Sequence, residues 1–174
     1  MFHVFARGNA GDAIYRDDLD RLRYLDLLAR VVGRKGWLCL GYCLMHNHVH
    51  LLLETPQPNL GRGMQLLHGR YAEGFNARHA RPGHVFQGRF GSVHIARDEH
   101  LLAAAAYVAL NPVAAGLCER PEDWRWGSHA ALLERRPPRW LAVRRLLALF
   151  AGSGSRARER YRAYIAERLP GTCS

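Results

Sequence analysis

The segment Gly36–Glu54 reads GWLCLGYCLMHNHVHLLLE, and its punctuation decides the fold. Two apolar runs of strand length, Gly36–Met45 and His48–Glu54, are parted by a short break near Met45–Asn47, which is the pattern of a hairpin. A strand places residues i and i+2 on one face. Extended through its histidines, this segment points His46, His48 and His50 one way and Asn47, Val49, Leu51 and Leu53 the other.

The flanks show what the hairpin belongs to. Upstream, FHVFARG (Phe2–Gly8) alternates apolar and polar residues and ends at glycine, as a strand does. Asp17 and Asp18 then lead into an amphipathic helix with Leu19, Leu22, Leu25, Leu28 and Val32 at spacings of three and four, stopped by Gly33. Downstream, Pro56 and Pro58 interrupt the chain. Leu60–His79 then aligns Leu60, Met64, Leu67, Tyr71 and Phe75 on one helical stripe. HVFQGRFGSVHI (His84–Ile95) is extended, with Gly88 and Gly91 marking a bend or bulge, and Asp98 is the expected N-cap of a helix over Glu99–Leu110. The order β-α-β-β-α-β-α predicts an α+β protein. Its first six elements match the ferredoxin-like βαββαβ arrangement, with helices over one face of an antiparallel sheet and the other face left for a site. The remainder reads as helices over Gly127–Arg135, Leu141–Phe150 and Arg156–Leu169, with GSGS (Gly152–Ser155) as a candidate boundary.

Composition narrows the partner. The formal charge is +10, and 24 of the 25 basic residues are arginine. Guanidinium forks match phosphate geometry and stack on bases, so the excess favours nucleic acid. The cysteines, Cys39, Cys43, Cys118 and Cys173, form no CxxC pair, which favours reduced thiols and a cytoplasmic protein over a thiolate zinc site. MFHVFARGNAG has no basic leader followed by an apolar run, and Leu101–Leu110 is far too short to span a membrane.

The histidines suggest a metal. His48 and His50 share one strand face with Val49 as anchor behind them, and two neutral imidazoles so placed need a third ligand from elsewhere; two surface histidines on a half-exposed strand is the plainer reading. In AAAAYVALNP (Ala103–Pro112), Tyr107 and Asn111 are four apart and share a helical face. Tyrosine can act as a covalent nucleophile and asparagine as an oxygen donor to a hard cation. The plainer reading makes Tyr107 a core residue and Asn111-Pro112 a helix stop, since residues before proline avoid the helical region.

These pieces, in order, resemble a known family. RGN (Arg7–Asn9), IYRDDLDRLRYLDLL (Ile14–Leu28), YCLMHNHVHLLLE (Tyr42–Glu54), GHVFQGRFGS (Gly83–Ser92), DEHLL (Asp98–Leu102), YVALNPVAAGL (Tyr107–Leu117) and PEDWRWGSHAALL (Pro121–Leu133) look like the Y1 transposases of the HUH superfamily. Within it, the chain is most similar to the IS200-like branch called REP-associated tyrosine transposases. The resemblance covers about residues 1–135 and implies a catalytic domain there, with residues 136–174 a helical C-terminal extension. It implies a ferredoxin-like fold, Mg²⁺ or Mn²⁺ held by His48, His50 and Asn111, and Tyr107 as nucleophile. The implied activity is cleavage and rejoining of single-stranded DNA at hairpins of REP-like palindromes, through a 5′-phosphotyrosine. By position it also implies DNA contacts from Arg7, Asn9, Gln87 and Arg89, and a monomer or homodimer. His46 departs from the family, which often has proline there, and is expected to be a bystander.

Two rival readings remain at this stage. A non-catalytic nucleic-acid-binding protein would use the same charge but leave His48, His50 and Tyr107 idle. A zinc site on His46, His48 and His50 would need ligands splayed by about 7 Å per two residues, too wide for the outer pair to share one ion.

Overall fold

In the computed structural model, residues 1–134, 136–150 and 154–169 are described. The hairpin forms: β2 (Leu38–Leu44) and β3 (His48–Glu54) pair antiparallel, and the Met45 N–H closes the turn on the His48 carbonyl at 2.9 Å. Strand β1 (Phe2–Arg7) lies between β3 and β4 (Gly91–His94), so the antiparallel sheet runs β2-β3-β1-β4. This is the expected split βαβ order. β4 is shorter than the extended stretch His84–Ile95, because the bends around Gly88 leave Phe86 with a single bridge to Gly8.

The first helix, α1 (Asp18–Lys35), starts where expected, with the Asp17 carboxylate accepting from the Asp20 N–H at 3.0 Å. It passes through Gly33 and stops at Gly36, whose φ of 65° suits glycine at a helix end. Its buried face also differs from the leucine stripe. Asp20, Tyr24, Leu28, Val31 and Val32 face inward, whereas Leu19 and Leu22 are 44% and 53% exposed. The cause lies on α2 (Leu60–His79), where Arg78 and His79 approach Asp20 at 2.7 and 2.9 Å. A partnered carboxylate can be buried where an unpartnered one cannot. On α2 the expected stripe holds: Met64, Leu67, Tyr71 and Phe75 are buried.

The third helix, α3 (Asp98–Ala114), begins after Arg97 and does not stop at Leu110. It carries Asn111 and Pro112 inside its last turns. Proline removes one helical donor there, and the carbonyls of Asn111 and Pro112 are taken up by the N–H groups of Ala115 and Leu117 at 3.0 and 2.9 Å. Asn111 therefore stays helical, one turn from Tyr107.

Register assigns the faces. Val4 and Ala6 lie opposite Leu51 and Val49, and all four are buried. His3, Phe5 and Arg7 lie opposite Leu52, His50 and His48 on the other face, against which α3 packs over β2 and β3. Helices α4 (Ser128–Leu133), α5 (Val143–Leu147) and α6 (Ser155–Ala166) complete the chain. The exposed edge of β2 is closed by the stretch before α4 and by α5: Leu44 N–H bonds Trp126 O, Tyr42 N–H bonds Ser128 Oγ and Ala142 N–H bonds Cys39 O. Leu146, Leu147, Tyr161 and Ile165 join the same hydrophobic core as the sheet. Of the GSGS boundary, Gly152 and Ser153 lie outside the described residues, as does Cys173. Among the described residues no helix is long and apolar enough to cross a membrane.

Candidate active site

β3 sets the two histidines and α3 brings the other two groups to them. His48 and His50 point to the α3 side of the sheet, with their rings 5.0 Å apart and edge to face, while Val49 is buried behind them. Asn111 Oδ1 lies 3.3 Å from His48 Nε2. The Tyr107 ring stands edge-on to His50 at 5.3 Å. Tyr107 is 54% exposed, so its phenol faces solvent beside the imidazoles. The four residues expected to form the site thus converge from two elements. His46 does not join them: it is exposed in the bend before β3, outside the alternation that the strand imposes on His48 and His50.

The same bend corrects the expectation for Asn47. Residues 46 and 47 are not yet in the strand, so Asn47 does not turn away. Its amide donates to the Gly11 carbonyl at 3.1 Å, which leaves Oδ1 facing His48 Nδ1 at 2.8 Å. An amide oxygen only accepts, so His48 carries its proton on Nδ1 and presents a lone pair at Nε2. His50 is matched by a residue that periodicity does not single out. His3, from β1, places Nε2 3.0 Å from His50 Nδ1. His50 Nε2 is buried without a hydrogen-bond partner. A proton on His50 Nδ1, donated to His3, leaves that orphaned Nε2 as a lone pair rather than a stranded donor.

Electrostatics keep the cluster neutral. Burial lowers the basicity of His48, and the Arg7 charge opposite it in register acts the same way. Burial, with its histidine neighbours, takes His50 down to about 3. Burial likewise lowers His3. Neutral imidazoles are the form that binds a cation.

The donors fit a hard divalent ion. His48 Nε2 and Asn111 Oδ1 are both acceptors, and two acceptors 3.3 Å apart gain nothing from each other. Adjacent ligands of an octahedral ion with bonds near 2.1 Å stand about 3 Å apart. Among the described residues no three His, Cys, Asp or Glu side chains form a metal-holding group, so an ion here would take its third protein ligand from the Asn111 amide and the rest from water or substrate oxygens.

The residues expected to touch DNA lie at the end of β1, just after it, and in the segment between α2 and β4. Arg7 is exposed at the end of β1, opposite His48. Asn9 opens a short helical turn, and its N–H bonds the Val85 carbonyl at 3.0 Å. Gln87 bonds the Arg7 carbonyl through its own N–H at 2.9 Å. Gln87 and Arg89 line a groove of about 980 Å³ between α2 and residues 83–92, with His68, Phe86 and Phe90, on the α2 side of the sheet.

Comparison with known proteins agrees with this architecture. No curated protein matches the sequence. The solved structures that resemble it include two transposases. One is a REP-associated tyrosine transposase bound to a REP hairpin, 15% identical, covering 77% of this chain and 78% of that one, with a TM-score of 0.63. The other is a putative transposase from Deinococcus radiodurans R1, 15% identical, covering 67% and 88%, with a TM-score of 0.47. The description "Transposase IS200 like" matches residues 1–111, a span that holds all four strands, the paired histidines, the exposed tyrosine and Asn111, and the protein therefore belongs to the IS200-like transposase family.

Proposed function

We propose that this transposase cuts and rejoins single-stranded DNA at hairpins, storing the broken bond as a 5′-phosphotyrosine on Tyr107. The observation that carries the reading is the solvent-facing phenol of Tyr107 beside His50, one helical turn from the Asn111 oxygen that faces His48. The likeness to a REP-associated transposase bound to a REP hairpin supports the substrate class.

In this mechanism the Tyr107 oxygen attacks the scissile phosphorus and gives its proton to solvent. The bond from phosphorus to the 3′ oxygen breaks, and that oxygen takes up a proton as a free 3′-OH. The reverse attack by a 3′-OH on the phosphotyrosine rejoins strands and restores the phenol. No nucleotide is consumed, because the covalent link conserves the bond energy. His48 Nε2, His50 Nε2 and Asn111 Oδ1 would hold Mg²⁺ or Mn²⁺, which when bound would polarise the phosphate and offset its developing charge. Asn47 and His3 keep the two imidazoles in the tautomer this requires. Arg7 meets the strand beside the cluster, and Asn9, Gln87 and Arg89 contact it further along. The protein acts as a monomer or a homodimer. The site belongs to a protein of the cytoplasm.

The test is a labelled hairpin oligonucleotide incubated with the protein and Mg²⁺ or Mn²⁺, then resolved on a denaturing gel. A covalent protein–DNA adduct is expected from the wild type and not from Tyr107→Phe. An adduct that survives Tyr107→Phe removes the nucleophile assignment. Binding without any metal-dependent adduct would favour a non-catalytic hairpin-binding protein.

A further inference from the structure

The sheet face that carries His48 and His50 is only half covered. Helix α3 lies over β2 and β3, and on the β1–β4 side the face shows an apolar strip to solvent. Phe5 is 41% exposed in the middle of β1, a strand with neighbours on both sides, and Val93 of β4 is 56% exposed opposite His3. Isolated apolar residues on a surface need no explanation, but these lie on adjacent strands, and His3 stands between Phe5 and the candidate nucleophile. The Phe5 ring centroid lies 5.8 Å from that of His3, which lies 5.6 Å from that of Tyr107.

Phe5 is also seated in a particular way. In register it stands between His50 on β3 and Gly91 on β4. A Cβ on Gly91 would fall 2.4 Å from the Phe5 ring carbons Cε2 and Cζ. The ring therefore lies across the glycine backbone of the edge strand, in space that no other residue would leave. Arg7 follows two residues along the same face, also exposed.

We infer that Phe5, laid over Gly91, is a stacking platform for an unpaired base of the DNA strand next to the phosphate that Tyr107 attacks. The inference rests on the cleavage reading above and adds the subsite that holds the substrate's base. An aromatic ring on an open βαββαβ sheet face can stack with any base, since every base has a π-face. The protein's charge of +10 and the neighbouring Arg7 supply the matching attraction for the strand's phosphates. A glycine at position 91 keeps the platform flat. Base identity is not read there, so the platform sets how the strand lies rather than which sequence is chosen.

Two measurements on the full chain test this. A hairpin oligonucleotide with a single-stranded extension containing 5-iodouracil is irradiated on the protein and digested with trypsin. The cross-link is expected on Phe5 within the peptide Met1–Arg7; cross-links found exclusively on other peptides overturn the proposal. Affinity is then measured by anisotropy for a twenty-residue thymidine strand and for an abasic strand of equal length. Phe5→Leu should weaken binding of the thymidine strand about tenfold and leave the abasic strand unchanged. Phe5→Trp should retain binding, and Gly91→Ala, which displaces the ring while keeping it, should reproduce the Phe5→Leu defect. An unchanged affinity, or an equal loss on both strands, overturns the platform. An absent adduct from the wild type with a base-dependent loss in Phe5→Leu would instead overturn the cleavage reading and leave the platform standing.

Discussion

The two faces of the sheet use the same residue types to opposite ends. On the α1–α2 side, Tyr24 and Tyr71 are buried, with Tyr24 Oη 3.1 Å from His68 Nε2 and the Tyr71 hydroxyl donating to the Ile14 carbonyl. Burial pushes both phenols far up and takes His68 down to about 4. On the α3 side, Tyr107 stands beside His50 and His3 but opens to solvent. All seven tyrosines lie within the described residues, and Tyr107 alone is exposed. Chemistry and packing are separated here by access, since a phenol must reach the substrate before any activation matters.

The sharpest way to break this contrast is to remove one hydroxyl from each face. Tyr107→Phe should abolish the covalent DNA adduct, a loss of at least about a thousandfold on a gel, while leaving the melting temperature in place. Tyr24→Phe should do the reverse: normal adduct formation, with roughly 1 kcal/mol less stability in urea unfolding for the lost hydrogen bond. A Tyr24→Phe variant that loses the adduct would dissolve the division of labour.

Next in size is the clasp that holds α1 against α2. Asp20 is 1% exposed and receives Arg78, His79 and the Arg16 N–H. Asp20→Ala should cost roughly 2–3 kcal/mol by chemical denaturation, with cleavage per folded molecule unchanged. On the other face His3 holds a side chain and not the fold. His3→Leu should weaken Mn²⁺ binding about tenfold or more in titration calorimetry, and His3→Gln, whose oxygen still accepts from His50 Nδ1, should recover most of it. Long-range nitrogen-proton NMR reads the tautomer directly: His50 protonated on Nδ1 in the wild type, mixed in His3→Leu. A wild-type His50 protonated on Nε2 would sink that role for His3.

Acid sensitivity is spread over several groups, and both faces share it. His50, His68 and His129 sit near 3, 4 and 4, each because burial disfavours the cation. A histidine with a native value below its unfolded value of about 6.5 binds more protons when unfolded. Each group then subtracts stability as pH falls below about 6.5, by about 1.4 kcal/mol per pH unit, until its native value is reached. Urea midpoints measured between pH 7 and 5 should fall steadily, and His68→Gln should flatten the slope. A slope that does not change in that variant would mean His68 titrates normally.

Much of this molecule was legible in local patterns. The strand alternation around Val49, the spacing of Tyr107 and Asn111, the stripe on α2 and the element order all follow from backbone periodicity, which neighbouring residues alone impose. Where reading by pattern went astray, a distant residue was responsible. Leu19 and Leu22 of α1 looked like part of the core face until Arg78 and His79, nearly sixty residues away, made Asp20 worth burying. Asn47 looked turned away until the bend and the Gly11 carbonyl turned it toward His48. Pro112 looked like a stop, but α3 runs two residues past it before its last carbonyls are taken up by Ala115 and Leu117.

By itself, then, the sequence determined the α+β order, the hairpin, and the pairs His48–His50 and Tyr107–Asn111, because each depends on spacing within one element. The tertiary structure alone decided that the two pairs meet, that His3 and Asn47 orient the imidazoles, that Phe5 lies across Gly91, and which tyrosine stays open to solvent. Those outcomes depend on strand register and helix packing between residues tens of positions apart, and no local period carries that information.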